Sequence, residues 1–122
     1  MSYVESKVVL RVELPFLKGK TDSEAYEYFK GILGEAETVK EWEDEIEYFM
    51  YQGAFQPVSD YRGSWGVDYI LSDSSEGMDY NASLLELNEK TKELASKFGV
   101  PEESAKLFAY NWYNGGDEPI NF

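Results

Sequence analysis

The chain has 122 residues, 43% of them hydrophobic and 16% aromatic, enough for one buried core and too few for two. It holds no cysteine and no histidine, which excludes disulfides and thiolate zinc sites and removes the one side chain that ordinarily titrates near neutrality. Acidic side chains outnumber basic ones by 24 to 11, a formal net charge of -13, so nucleic acid and anionic lipid are poor partners whereas a basic protein surface is a good one.

The N-terminus lacks a basic start followed by an apolar run, and no stretch approaches the roughly 18 apolar residues of a membrane span. With the absent cysteines, this predicts a cytoplasmic protein that does not enter a membrane. Lys7 to Leu14 alternates: Val8, Leu10, Val12 and Leu14 share one side, Lys7, Arg11 and Glu13 the other, and Val9 interrupts. That is a half-buried strand, ended by Pro15. Thr21-Asp-Ser-Glu24 reads as a capping box, in which a Thr hydroxyl and a Glu three residues on satisfy each other's backbone amides. Ala25, Tyr28, Phe29, Ile32 and Leu33 follow at helical spacing, with Gly34 as the stop.

Glu35 to Gln52 fits two periods. Val39, Trp42, Ile46, Phe49 and Gly53 suit a helix; Trp42, Ile46, Tyr48 and Met50 suit one face of a strand, with Glu41, Glu43, Glu45 and Glu47 on the other and Asp44 out of pattern. The run Tyr48-Phe-Met-Tyr51 favours extended structure, so we take a strand from about Glu45. Gly53 to Ser64, with Pro57, Asp60 and Gly63, has loop composition. Trp65 to Ser72 reads as a strand and Ser72 to Gly77 as a polar turn. Asn81 to Phe98 is a helix with an apolar stripe of Leu84, Leu87, Leu94 and Phe98, ended by Gly99 and Pro101. Lys106 to Tyr113 suits a strand, with Phe108, Tyr110 and Trp112 on one face, and also a helix opened by Pro101-Glu-Glu103. Strands at both places give an α+β domain over residues 1–122: a four-stranded antiparallel sheet with two helices on one face, in the ferredoxin-like βαββαβ order.

The densest acidic feature is Glu41-Trp-Glu-Asp-Glu-Ile-Glu47, five acids in seven residues. As a strand it spaces four glutamates about 6.6 Å apart on one face. Duplex DNA carries a charge every ~1.7 Å of axis, so this ladder imitates it sparsely and needs other acids, such as Asp73, Glu76 and Asp79. As a helix the same residues merely coat a solvated face. Enzyme and metal motifs fail on detail. Counted from Asp73 as a calcium loop, the sixth position is Met78 and the twelfth Leu84; Gly115-Gly116 lacks the Lys of a P-loop; Asn81-Ala-Ser83 is a sequon in a chain without an export signal. Ten Tyr, seven Phe and three Trp exceed what a small core easily holds, so Tyr51, Tyr61, Trp65, Tyr110, Trp112 and Tyr113 are candidates for an exposed sheet face or loops.

These features predict a protein-binding module rather than an enzyme, with no cofactor, metal or direct nucleic-acid contact. It would inhibit or regulate a basic, nucleic-acid-binding protein, as anti-restriction, anti-CRISPR and toxin-immunity proteins do. Glu41, Glu43, Asp44, Glu45, Glu47, Asp73, Glu76 and Asp79 would face the partner's Lys and Arg, and Tyr51 and Trp65 would supply apolar contact. The alternative is a structural or assembly protein, a phage or mobile-element accessory subunit or a homo-oligomer, whose acidity only solubilises it. A carboxylate enzyme on the same fold would instead need a pocket gathering two or more carboxylates.

Overall fold

The computed structural model describes residues 4–40, 47–60, 62–74, 83–113 and 120–121. The first strand, β1 (Val4–Glu13), stops where Pro15 opens a short 3-10 turn, Pro15–Leu17. Helix α1 (Asp22–Leu33) begins at the expected capping box: the Glu24 amide donates to the Thr21 hydroxyl at 3.2 Å, and the Thr21 amide donates to the Glu24 carboxylate at 3.1 Å. Gly34 ends it at φ 90°, a backbone region that suits glycine.

The ambiguous stretch is two strands, not one. Strand β2 (Ala36–Lys40) and strand β3 (Glu47–Tyr51) pair antiparallel from Ala36↔Tyr51 to Lys40↔Glu47. The turn after β3 places Gln52 at φ 54° and Gly53 at φ 70°. Gln52 occupies this uncommon conformation for a residue with a side chain while its side-chain Nε2 donates to the Leu33 carbonyl at 3.2 Å, tying the hairpin to the last turn of α1.

Strand β4 (Phe55–Ser59) occupies what composition marks as loop. Pro57 argues against a strand, but β4 meets β3 only at Tyr51↔Phe55, so past Phe55 its outer side behaves as an edge where a missing N–H costs little. Strand β5 (Trp65–Ser74), helix α2 (Leu84–Phe98) and strand β6 (Ala105–Tyr113) follow, and the two-residue β7 (Ile120–Asn121) lies beside β6. A second capping box, Ser83 with Glu86, opens α2, and Gly99 closes it in the left-handed conformation. Pro101-Glu-Glu103 leads into a 3-10 turn and then a strand, not a helix.

The ferredoxin-like expectation is therefore overturned. The sheet is open and antiparallel, ordered β2-β3-β4-β5-β1-β6 with β7 extending the last edge, and it carries two helices. The error has a local cause: β2 and β4, five residues each, are too short for alternation to declare itself, and one contains a proline.

One face of the sheet carries the core. Leu10 and Val12 of β1, Tyr51 of β3, Phe55 of β4 and Trp65 and Val67 of β5 meet Ala25, Phe29 and Leu33 of α1 and Leu94 and Phe98 of α2. Phe29 sits at the centre, its ring 6.1 Å from Tyr51 and 6.3 Å from Trp65. Replacing Phe29 with Ala should lower unfolding stability by about 3–5 kcal/mol, through lost burial plus an unfilled cavity, as read from the urea midpoint.

Candidate functional site

The predicted site residues that are described do not share one patch. Glu41, Glu43, Asp44, Glu45, Glu76 and Asp79 lie outside the described residues, as does Tyr61; Tyr110, Trp112 and Tyr113 belong to β6. Tyr51 and Trp65 are core residues, 3% and 7% exposed, so the expectation that they present rings to a partner does not hold. Both lie on the helix-covered side, because β3 and β5 alternate in phase with the buried stripe of β1.

The described flanks of the two acidic segments are also separated. Strand β3 runs antiparallel to β4 from a match at Tyr51↔Phe55, so Glu47, its first residue, is directed toward the end of the sheet that holds Ser59 and Trp65. Asp73 stands level with Lys7, and the strand from Gly66 to Asp73 covers about 23 Å. The chain thus enters the 41–46 and 75–82 segments from opposite ends of the sheet.

Two concavities remain. The first is an open cleft of about 450 Å³ on the face away from the helices, where Arg11, Glu13, Val58, Gly66 and Phe108 meet Lys18 and Asp60. Register places Arg11 opposite Asp68, and the two form a fork: Arg11 Nε donates to Asp68 Oδ1 at 2.7 Å and Nη2 to Oδ2 at 2.9 Å. Asp68 is 1% exposed, and the guanidinium lies 4.8 Å from the centre of the Phe108 ring. Gly66 is required at the cleft, since a Cβ there would lie 2.9 Å from the Val12 carbonyl oxygen.

Each carboxylate in or under this cleft is already engaged. Asp68 is held by Arg11, Glu13 accepts from Lys106 at 3.1 Å, and Asp60 accepts the amides of Arg62 at 2.8 Å and Ser64 at 3.0 Å. Their arrangement is that of a braced sheet rather than of an acid and a base flanking a substrate.

The second concavity, about 400 Å³, is a groove between α1 and the β2–β3 hairpin. Asp22, Tyr26 and Lys30 recur every four residues and so share one face of α1, which walls the groove; Glu27 adjoins them, Glu35 and Ala36 form its end, and Phe49 lies across from Tyr26. The Tyr26 and Phe49 rings meet edge to face at 5.0 Å, and Phe49 is 41% exposed. Lys30 reaches Glu35 at 3.6 Å, while Asp22 and Glu27 pair with no cation among the described residues. Sequence reasoning assigned no role to Asp22, Tyr26, Glu27 or Glu35. The available signal was the Asp22-Tyr26-Lys30 face, which lies beside the buried Ala25-Phe29-Leu33 stripe.

Burial and, after it, neighbouring groups act on the tyrosines of the groove. Burial, and after it the Asp22 carboxylate, pushes the Tyr26 hydroxyl above its ordinary value; burial, Tyr26 and Glu35 push Tyr51 the same way. Burial alone raises Tyr28.

No helix among the described residues is long and apolar enough to cross a membrane, and no cluster of potential metal ligands occurs among them. Fold and concavities together define an α+β protein built on an open antiparallel sheet. Comparison with protein-family models, curated proteins and solved structures finds no match for the chain.

Two outcomes follow from this geometry. Asp68→Asn should cost about 3 kcal/mol in urea unfolding, because it removes the charge from one side of a partly buried, doubly hydrogen-bonded ion pair. The folded state also keeps tyrosine protons that the unfolded chain releases, so this contribution is whole below pH 10, the ordinary value, and is lost as pH rises through the raised values. Ultraviolet titration should therefore show part of the tyrosine set ionising later in buffer than in denaturant, with the urea midpoint falling over the same range.

Proposed function

We propose that the chain is a protein-binding module that docks on a basic, nucleic-acid-binding protein and inhibits or regulates it by occupying its phosphate-binding surface, without chemistry of its own. The observation that carries this reading is the acid-rimmed aromatic groove between α1 and the β2–β3 hairpin. A partner's Arg or Lys entering it meets Asp22, Glu27 and Glu35 as countercharges and the Tyr26 and Phe49 rings as an apolar bed. The acidic run Glu41 to Glu47 supports the same reading, since it joins the two strands of the hairpin that carries Phe49. The overall charge of -13 adds steering: an acidic surface raises encounter rates with a basic one, mainly within the Debye length of about 8 Å at physiological salt.

A second reading, a homo-oligomeric assembly subunit, is favoured by Leu84 and Leu85, which are 74% and 66% exposed at the start of α2. It requires a concentration-dependent mass in sedimentation that Leu84→Lys with Leu85→Lys abolishes.

Reversal of charge tests the first reading. With the partner isolated from the native host, Glu43, Glu45 and Glu47 changed together to Lys, or Glu27 and Glu35 changed together to Lys, should weaken binding at least about tenfold and flatten its salt dependence, as expected when several charge pairs are lost. Unchanged affinity and unchanged salt dependence in both variants would overturn it.

A further inference from the structure

One margin of the sheet is an open strand edge. Among the described residues β2 pairs with β3 alone, so the N–H and C=O groups that alternate along its other side have no ladder partner. Its five residues span about 17 Å, and Glu37 and Thr38 are exposed. The acid-rimmed groove reaches β2 at Ala36, the first residue of this edge, on the helix side of the hairpin. An exposed strand edge and a row of pockets next to it are the two parts of recognition by strand addition: main-chain hydrogen bonds supply affinity, and pockets for alternate side chains supply selectivity.

We propose that β2 takes up an extended, basic segment of the partner protein as an additional strand of the sheet, with alternate Arg or Lys side chains of that segment seated in the groove. The proposal rests on the reading of the chain as a binder of a basic partner and specifies how that partner is held. Charge selects the occupant. Among the residues that line the groove, Asp22, Glu27 and Glu35 stand against one cation, Lys30, which Glu35 already holds. On the other side of β2 an added strand meets Glu37, which is set opposite Met50 and alternates with Ala36 and Thr38. A second copy of the chain is a poor occupant, since it would bring the same acids and its own charge of -13 to the edge. The acids that keep two copies from joining edge to edge are those that favour a basic strand. Successive same-side residues of the added strand stand about 6.7 Å apart, so the basic side chains nearest Ala36 are the ones that the groove can take.

Strand addition is tested with a short acetylated and amidated peptide alternating arginine and valine, with its two alternate N-methylated forms, and with the glutamate-valine analogue. Calorimetry at low salt reads affinity, and amide exchange reads residues 36–40. The arginine-valine peptide should bind and slow exchange in β2, and the glutamate-valine peptide should not bind. N-methylation of one alternate set should weaken binding about tenfold, the loss of one to two main-chain hydrogen bonds, while methylation of the other set is tolerated because those amides face away. Glu27→Lys with Glu35→Lys should weaken the unmethylated peptide as well. If all three basic peptides bind alike and β2 exchange is unchanged, strand addition is overturned and docking of a basic partner stands. If no basic peptide binds while the charge-reversed variants still lose the native partner, strand addition is likewise overturned. Loss of neither the peptide nor the native partner on charge reversal overturns both.

Discussion

The sheet depends on the placement of β1 between β5 and β6. The first strand of the chain pairs with β5 from Ser6↔Ser74 to Glu13↔Gly66 and with β6 from Val4↔Tyr113 to Val12↔Ala105, so it joins the two halves of the sheet. A slip of one residue in either ladder would move every β1 side chain to the wrong face. Two features fix the register. Leu10 and Val12 must enter the core with Val67, and Arg11 must reach Asp68 with both of its bonds. The fork is buried on the Asp68 side and covered by Phe108 from β6, so one guanidinium touches all three central strands. The bulge between Val8 and Val9 breaks the pairing toward the far end of this register, leaving the ladder regular where the fork forms.

The candidate groove follows from how the outer strands are attached. Strand β3 meets β4 at one matched pair, Tyr51↔Phe55, so the β2–β3 hairpin is held by that pair, by the Tyr51 ring in the core and by the Gln52 side-chain amide on the Leu33 carbonyl. Those ties fix the Ala36 and Tyr51 end of the hairpin beneath α1. Toward Phe49 the hairpin lies under the side of α1 that carries Asp22 and Tyr26, and the space between them is the groove. The concavity thus arises beside the core, and the buried Tyr51 ring, packed against Phe29, forms part of its lining. The cleft on the other face differs in kind: its carboxylates are held by Arg11, Lys106 and backbone amides, and it stiffens the centre of the sheet.

Much of the local structure was legible. The capping box at Thr21, the glycine stops at Gly34 and Gly99, the alternation of β1 and the burial of Leu94 and Phe98 on α2 rest on short-range signals, set by groups within a few residues of one another, whereas Leu84, read into the same stripe, is exposed. The strands β2 and β4 were not legible, because five residues give alternation little room and Pro57 counts against a ladder unless β3 is known to diverge there. The site was less legible still. Tyr51 and Trp65 read as exposed anchors because an aromatic on one side of a strand does not reveal whether a helix covers that side, and α1 covers both. Asp22 and Glu35 drew no attention because they are thirteen residues apart and meet one groove only after the chain has turned from α1 into β2.

By itself the sequence determined the class of the protein, α and β elements around one core, the start of α1 and the stops of both helices, and a large surplus of acidic side chains. These are properties of composition and of near neighbours, which act before the chain folds. Only the tertiary structure decided that β1 lies inside the sheet, that two acidic segments leave it at opposite ends, and that β2, paired with β3 alone among the described residues, meets an acid-rimmed groove at Ala36. Those are facts of strand order and register, which depend on pairings between residues far apart in the chain, such as Arg11 with Asp68, and local periodicity does not carry them.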